Sequence, residues 1–348
     1  MFPDADMASR IRARLADGTL PASLDHPSKW PAPMRAEWGD DEGTAFAARH
    51  RQDYFAGLDR IRDALDDFRP DAVIIFGDDQ NECFREDLVP PYGLFIAEEF
   101  RSKPYLRARL FGADRINIWN DPFDTVFTHR GAPAIAGHLA HALMEEGFDP
   151  ACSYRLPHQD YLGHAFTNTL LYLDHRRRGF PYPVIPFAIN AYGPELLRSG
   201  GGHVPKESVP GSPGWLPDPP MPSPRRCFDL GAAIARVLRN APWRVALVGS
   251  SSFSHGFLTA KNDFFYPDIP SDRARHAELA AGAYESWREL SIGTLREAGQ
   301  HELLNWCPMI GAMHALGQMP AYCVLLESYL MNSSKCLAVI PPRGSGAF

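Results

Sequence analysis

Apolar positions along the chain fall into two alternating rhythms. Phe46, His50, Tyr54, Leu58, Ile61, Leu65 and Phe68 recur at spacings of three and four, which lays them on one face of a helix. Pro70 stops that pattern, and the run Val73-Ile74-Ile75-Phe76 follows with no polar alternation, as a strand buried on both faces requires. The same succession recurs. Further strands are predicted at 115–121, 183–193, 243–252 and 336–342, with helices over about 133–147, 162–177, 227–240, 272–298 and 300–317. Strands alternating with helices at this spacing predict an α/β fold, a single-domain α/β sandwich spanning 1–348 whose central sheet is mostly parallel or mixed and flanked by helices. Residues 1–43, rich in proline and charge, are expected as an irregular wrap over that body. The proline-rich stretch 203–225 can be neither helix nor central strand and is expected as a functional cover or a subunit contact.

Composition narrows the function classes. The 348 residues are 45% hydrophobic and 22% charged, with a net charge of -7, so no basic face points to nucleic acid. No apolar run is long enough for a membrane span, and the N-terminus lacks the apolar core of a signal peptide, so a cytoplasmic protein is expected. Six widely spaced cysteines, without a CxxC pair, read as reduced and mostly buried thiols.

Polar groups that carry chemistry gather at strand ends and helix starts: Asp78-Asp79-Gln80-Asn81-Glu82, "GSSSFSHG" at 249–256, "GQHELLNW" at 299–306, and His158 and His164 before a helix. The serine-rich segment does not make a nucleophile elbow, because Phe253 stands where the closing glycine of G-x-S-x-G is needed. No phosphate-binding glycine motif is present. Imidazole and carboxylate groups are the donors of an open metal site. Taken singly, each residue also has a bland reading: His255 can cap a loop, Glu302 can serve a helix dipole, and His50 can be a hydrogen-bonded core histidine.

Four stretches in register, "PDAVIIFGDDQNECF", "GHAFTNTLLYL" with "YPVIPFAINAYGP", "VALVGSSSFSHGF" and "GQHELLNWCPMIGAM", resemble the class III extradiol ring-cleavage dioxygenases, among them the protocatechuate 4,5-dioxygenase β-subunit type. The resemblance implies oxygen-dependent cleavage of a small catechol-like substrate at a ferrous, Fe(II), centre, and a homodimer. It makes Glu302 a metal ligand, His255 a catalytic proton-handling histidine and His164 a pocket histidine beside the substrate. Asn190, Tyr192, Ser254 and Asn305 become substrate-binding candidates.

Two departures stand out. The family's strand-end motif has a histidine where this chain has Gln80, whose neutral amide is a weaker donor to iron(II) than imidazole. A second histidine, expected in an S/T-H-x-P-like motif near the chain start, has no counterpart before His26. The metal set expected here is therefore Glu302, Gln80 and Asp79, with Asp78 and Glu82 as further oxygen donors for another divalent ion. Two alternatives remain side by side: a chain shortened at its N-terminus, or a divergent member that is non-catalytic or metal-independent and binds a small aromatic ligand.

Overall fold

The computed structural model describes residues 8–85, 87–106, 117–193 and 220–342. Residues 8–43 are more ordered than their composition suggested. They form helices α1 (Ser9–Ala16) and α2 (Ala32–Trp38), with a 3-10 turn at Pro27–Lys29 between them. The prolines start these elements rather than breaking them, because a proline in the first turn gives up an N–H that has no helical partner. Ile11, Trp30 and Met34 then close a small apolar cluster with Phe265 and Leu330.

The predicted long helix forms as α3 (Thr44–Phe68), and Arg69, at a φ of 50°, turns the chain into β1 (Ala72–Asp78). All seven residues of β1 are buried. The uninterrupted apolar run is explained by its two faces: Ala72, Ile74 and Phe76 enter one core, and Val73 and Ile75 the other. After β1 come β2 (Tyr92–Phe95), the hairpin β3 (Glu99–Ser102) and β4 (Phe127–Arg130), α4 (Pro133–Glu145), β5 (Ala151–Ser153), α5 (His164–Leu173) and β6 (Val184–Ile189). The second half contains α6 (Pro224–Arg239), β7 (Val245–Gly249), α7 (Ile269–Ala280), α8 (Glu285–Arg288), α9 (Ile292–Glu297), α10 (Cys307–Leu316), β8 (Tyr322–Leu326) and β9 (Lys335–Val339).

The central sheet has the order β5-β2-β6-β1-β7. β1 runs parallel to β6 and β7, whereas β2 is antiparallel to β6, so the sheet is mixed. Helices α4 and α6 cover the first core, and α3 and α5 the second. The strand predicted at 336–342 forms as β9 but pairs antiparallel with β8, outside the central sheet.

Other expectations need correcting. Residues 117–121 make a turn rather than a strand, because the Asn117 side-chain carbonyl accepts from the backbone N–H groups of Trp119 (3.1 Å) and Asp121 (3.2 Å); residues 115–116 lie outside the described residues. The helix expected over 272–298 is broken into α7, α8 and α9, with Gly282 at a φ of 67° and a Ser291 cap at the breaks. The helix expected over 300–317 opens as a 3-10 turn, His301–Asn305, before Pro308 starts α10. Of the proline-rich stretch, 203–219 lies outside the described residues, and Ser223 and Pro224 begin α6. Among the described residues no helix is long and apolar enough to cross a membrane.

Candidate metal centre

The site grows out of the carboxyl end of β1, where ligands bind in open α/β sheets. Gly77 makes room for it: a Cβ there would sit 2.9 Å from the Ala165 Cβ, so only glycine lets the first turn of α5 close on the strand. His164, the first residue of α5, is thereby brought beside Asp78, the last residue of β1. Glu302 arrives from the 3-10 turn before α10. One donor atom from each of Asp78, His164 and Glu302 lies within 4.8 Å of the other two.

Each donor is held by a neighbour. Glu82 grips His164 twice, accepting from its backbone N–H (3.1 Å) and contacting its Nδ1 at 2.7 Å, while His164 Nε2 lies 3.8 Å from the Asp78 carboxylate. A carboxylate acceptor at Nδ1 leaves the Nε2 lone pair facing the site. Tyr192 donates its hydroxyl to Glu302 Oε1 at 2.6 Å. Gln80 donates through its amide to both Asp78 Oδ2 and the Tyr192 hydroxyl, at 2.9 Å each, and Asn305 donates to Asp78 Oδ1 at 3.1 Å. His255 Nε2 stands 3.6 Å from Glu302 Oε2.

Sequence neighbours thus take different positions. Asp79, expected as a ligand, is not one of the three: its carboxylate accepts from the backbone N–H groups of Glu82 (3.0 Å), Cys83 (2.8 Å) and Phe84 (3.3 Å). Gln80 touches the carboxylate network through its amide N–H groups, which donate to oxygen. Asp78, rather than Asp79, is the aspartate that lies in the group with His164 and Glu302. Ser254 is engaged with Asp272 (2.7 Å), and Asn190 accepts from the Gly193 N–H (2.8 Å), so both brace loops. Tyr192 and Asn305 orient the carboxylates. Sequence reasoning did not single out Lys335, whose Nζ donates to Ser252 Oγ (2.9 Å) and Ser333 Oγ (2.6 Å) at the edge of the site.

Electrostatics favour a cation here. Burial first, and then the nearby Glu302, push the Asp78 carboxyl up to about 6. Burial, with Lys335 adding to it, pushes His255 down to about 3, so its imidazole is neutral at ordinary pH. Burial also lowers Lys335 to about 8, against the pull of Glu302 and Asp272. Two buried carboxylates this close repel one another unless a proton or a cation joins them. This donor set fits a divalent cation and is richer in oxygen than a two-histidine, one-carboxylate site.

No protein-family model matches the chain. Among curated proteins it is similar to the 2,3-dihydroxyphenylpropionate/2,3-dihydroxicinnamic acid 1,2-dioxygenases of Photorhabdus laumondii (26% identity over 198 residues, 56% of this chain and 46% of that protein) and Cupriavidus necator (28% over 198 residues, with the same shares). The enzyme of that name from Comamonas testosteroni is 26% identical over 239 residues, 68% of this chain and 58% of the other. The chain spans about half the length of the curated relatives it matches. It is a distant homologue of extradiol dioxygenases, which supports the class III extradiol family and singles out no subfamily within it.

Proposed function

We propose that this protein is an extradiol-type dioxygenase that opens the ring of a small catechol-like substrate at a metal held by Asp78, His164 and Glu302. The observation that carries the reading is the convergence of those three donors at the strand carboxyl ends, with His255 beside them. A divalent ion, iron(II) in the reading developed here, would supply the oxygen chemistry that no side chain possesses.

The chain's own residues divide the remaining work. His255 is neutral, and its Nδ1 has no hydrogen-bond partner among the described residues, so it can take a proton from a substrate hydroxyl and return it to the product. Glu82 holds His164 in the tautomer and orientation that a ligand needs. Tyr192 and Gln80 fix the two carboxylates relative to each other, so the oxygen atoms keep their direction when the site is empty of substrate. The indole of Trp306 and the ring of Phe257 line the same cavity and offer flat apolar surface to an aromatic ring.

The test is an oxygen-electrode assay of the native protein, loaded anaerobically with iron(II) and offered a panel of catechols. One oxygen consumed per ring opened is the expected result. No uptake, together with no metal bound at stoichiometric level, would sink the proposal and favour a member of the fold that only binds an aromatic ligand.

A further inference from the structure

Lys335, the first residue of β9, lies on the wall of the cavity that His255 and Glu302 also line. A backbone bridge between His255 and Ser333 brings the chain before β9 against the loop after β7, and so sets Lys335 next to the site. An ammonium has three N–H donors and no acceptor. Two of them go to Ser252 Oγ (2.9 Å) and Ser333 Oγ (2.6 Å), and the third has no partner among the described residues. Ser252 accepts from Lys335 and its own O–H meets no acceptor among the described residues, so it too is available to donate. Nor does any carboxylate there stand within 4 Å of the ammonium. Other cations on the cavity wall are used differently: Arg10 donates to the carbonyls of Phe264 and Phe265, and Lys103 pairs with Asp160 at 2.8 Å. Taking an ammonium out of water without an anion is costly. Burial holds this one down to about 8, so it is still charged at neutral pH.

We infer that Lys335, with the Ser252 hydroxyl beside it, receives an anionic substituent, a carboxylate or a group of like charge and shape, on the ring of the substrate. The inference rests on the ring-cleavage reading of the site and names the kind of substrate that the site selects. The third N–H of Lys335 and the O–H of Ser252 offer two donors to the two oxygens of one carboxylate. Distance suits a substituent: the ammonium lies beyond ion-pair reach of Glu302 yet close enough to feel its charge, and the cavity reaches both. His255 stands between them in the same sense, 3.6 Å from Glu302 and within the field of Lys335. An anion entering the cavity is repelled at Asp78, Glu82 and Glu302 and attracted at Lys335. A substrate with an anionic group then has one favoured orientation, its hydroxyls toward Glu302 and His255 and its anion toward Lys335. A neutral ring of the same size leaves the ammonium without a counter-ion and binds more weakly.

Anaerobic calorimetric titration of the full chain loaded with iron(II) tests this with two pairs of catechols. One pair is dihydroxybenzoate and dihydroxybenzamide; the other is dihydroxyphenylpropionate and its primary amide. In at least one pair the carboxylate is expected to bind about 10–100-fold more tightly than the amide. Lys335→Met should bring that ratio close to one, and Lys335→Arg, which keeps the charge, should preserve it. If the methionine variant fails to fold, Lys335→Gln, which keeps an amide donor for the two hydroxyls, takes its place. Equal affinities within both pairs overturn the inference, as does a preference that survives the loss of the ammonium, because the carboxylate then sits on another group. Binding of none of the four ligands would sink the ring-cleavage reading itself, whereas equal binding within each pair sinks only the role of Lys335.

Discussion

Asp78 and Asp79 are adjacent in sequence but differently placed, and substituting each in turn tests the proposal that Asp79 holds the loop and Asp78 the ion. Asp79→Ala leaves three backbone donors, the N–H groups of Glu82, Cys83 and Phe84, without their acceptor. A buried donor left unpaired costs about 1–3 kcal/mol. Burial and the nearby Glu82 already hold the Asp79 carboxyl up at about 6, which offsets part of what its hydrogen bonds contribute. We therefore expect a net loss of about 2–4 kcal/mol, which for 348 residues lowers Tm by about 3–5 °C.

Asp78→Asn behaves differently. The folded pKa of Asp78, about 6, lies above its ordinary 3.8. Its contribution to stability is therefore complete below the ordinary value and lost as the pH rises through 6. At pH 7.5 a neutral asparagine relieves up to about 3 kcal/mol, less about 1 kcal/mol for the hydrogen bond that Gln80 makes to Oδ2. Metal-free D78N should thus match or exceed the wild-type stability, while binding a divalent ion at least about 10-fold more weakly. Urea unfolding in the presence of a chelator and calorimetric metal titration measure the two effects. A D79A protein of unchanged stability, together with a D78N protein of unchanged metal affinity, would refute the assignment of the two aspartates.

Other outcomes follow from the same geometry. His255→Ala should lower kcat by about 100-fold or more with little change in substrate affinity, and a loss confined to affinity would remove His255 from the chemistry. Tyr192→Phe deletes the 2.6 Å hydrogen bond to Glu302 and should weaken metal binding by about 10-fold, read by competition with a chromogenic chelator. Glu37, which accepts from the backbone N–H groups of Tyr329 and Leu330, is raised by burial from 4.5 to about 7. Its contribution to stability is complete below 4.5 and lost as the pH rises through 7. Glu37→Gln should therefore gain about 1–3 kcal/mol on the wild type between pH 4.5 and 8; unfolding curves that keep a constant separation over that range would refute this.

The parts of the fold legible in sequence are those buried on both faces or periodic over many turns. β1, β6 and β7 are apolar runs because helices cover both sides of the sheet, and α3 shows its single apolar face over 25 residues. β2 to β5, of three or four residues each, are too short to carry a pattern, and their pairing comes from tertiary contacts. The candidate site divides in the same way. Asp78, His164, His255 and Glu302 stand far apart along the chain, and local spacing holds no sign that they meet; the motif resemblance joined three of them. Which of Asp78, Asp79 and Gln80 faces the site depends on where β1 ends and on the tight turn at Asn81, whose φ is 60°. The replacement of histidine by Gln80 was visible, but its use as a donor to Asp78 and Tyr192 required Tyr192 to lie beside it.

Metal analysis of the native protein bears most directly on the proposed centre. Native protein reconstituted anaerobically and freed of loose ions is expected to hold one divalent ion per chain, and the Glu302→Gln protein, folded to the same extent by circular dichroism, to hold none. No stoichiometric ion in the native protein, or an ion that survives the loss of the Glu302 carboxylate, would contradict a metal centre built from Asp78, His164 and Glu302.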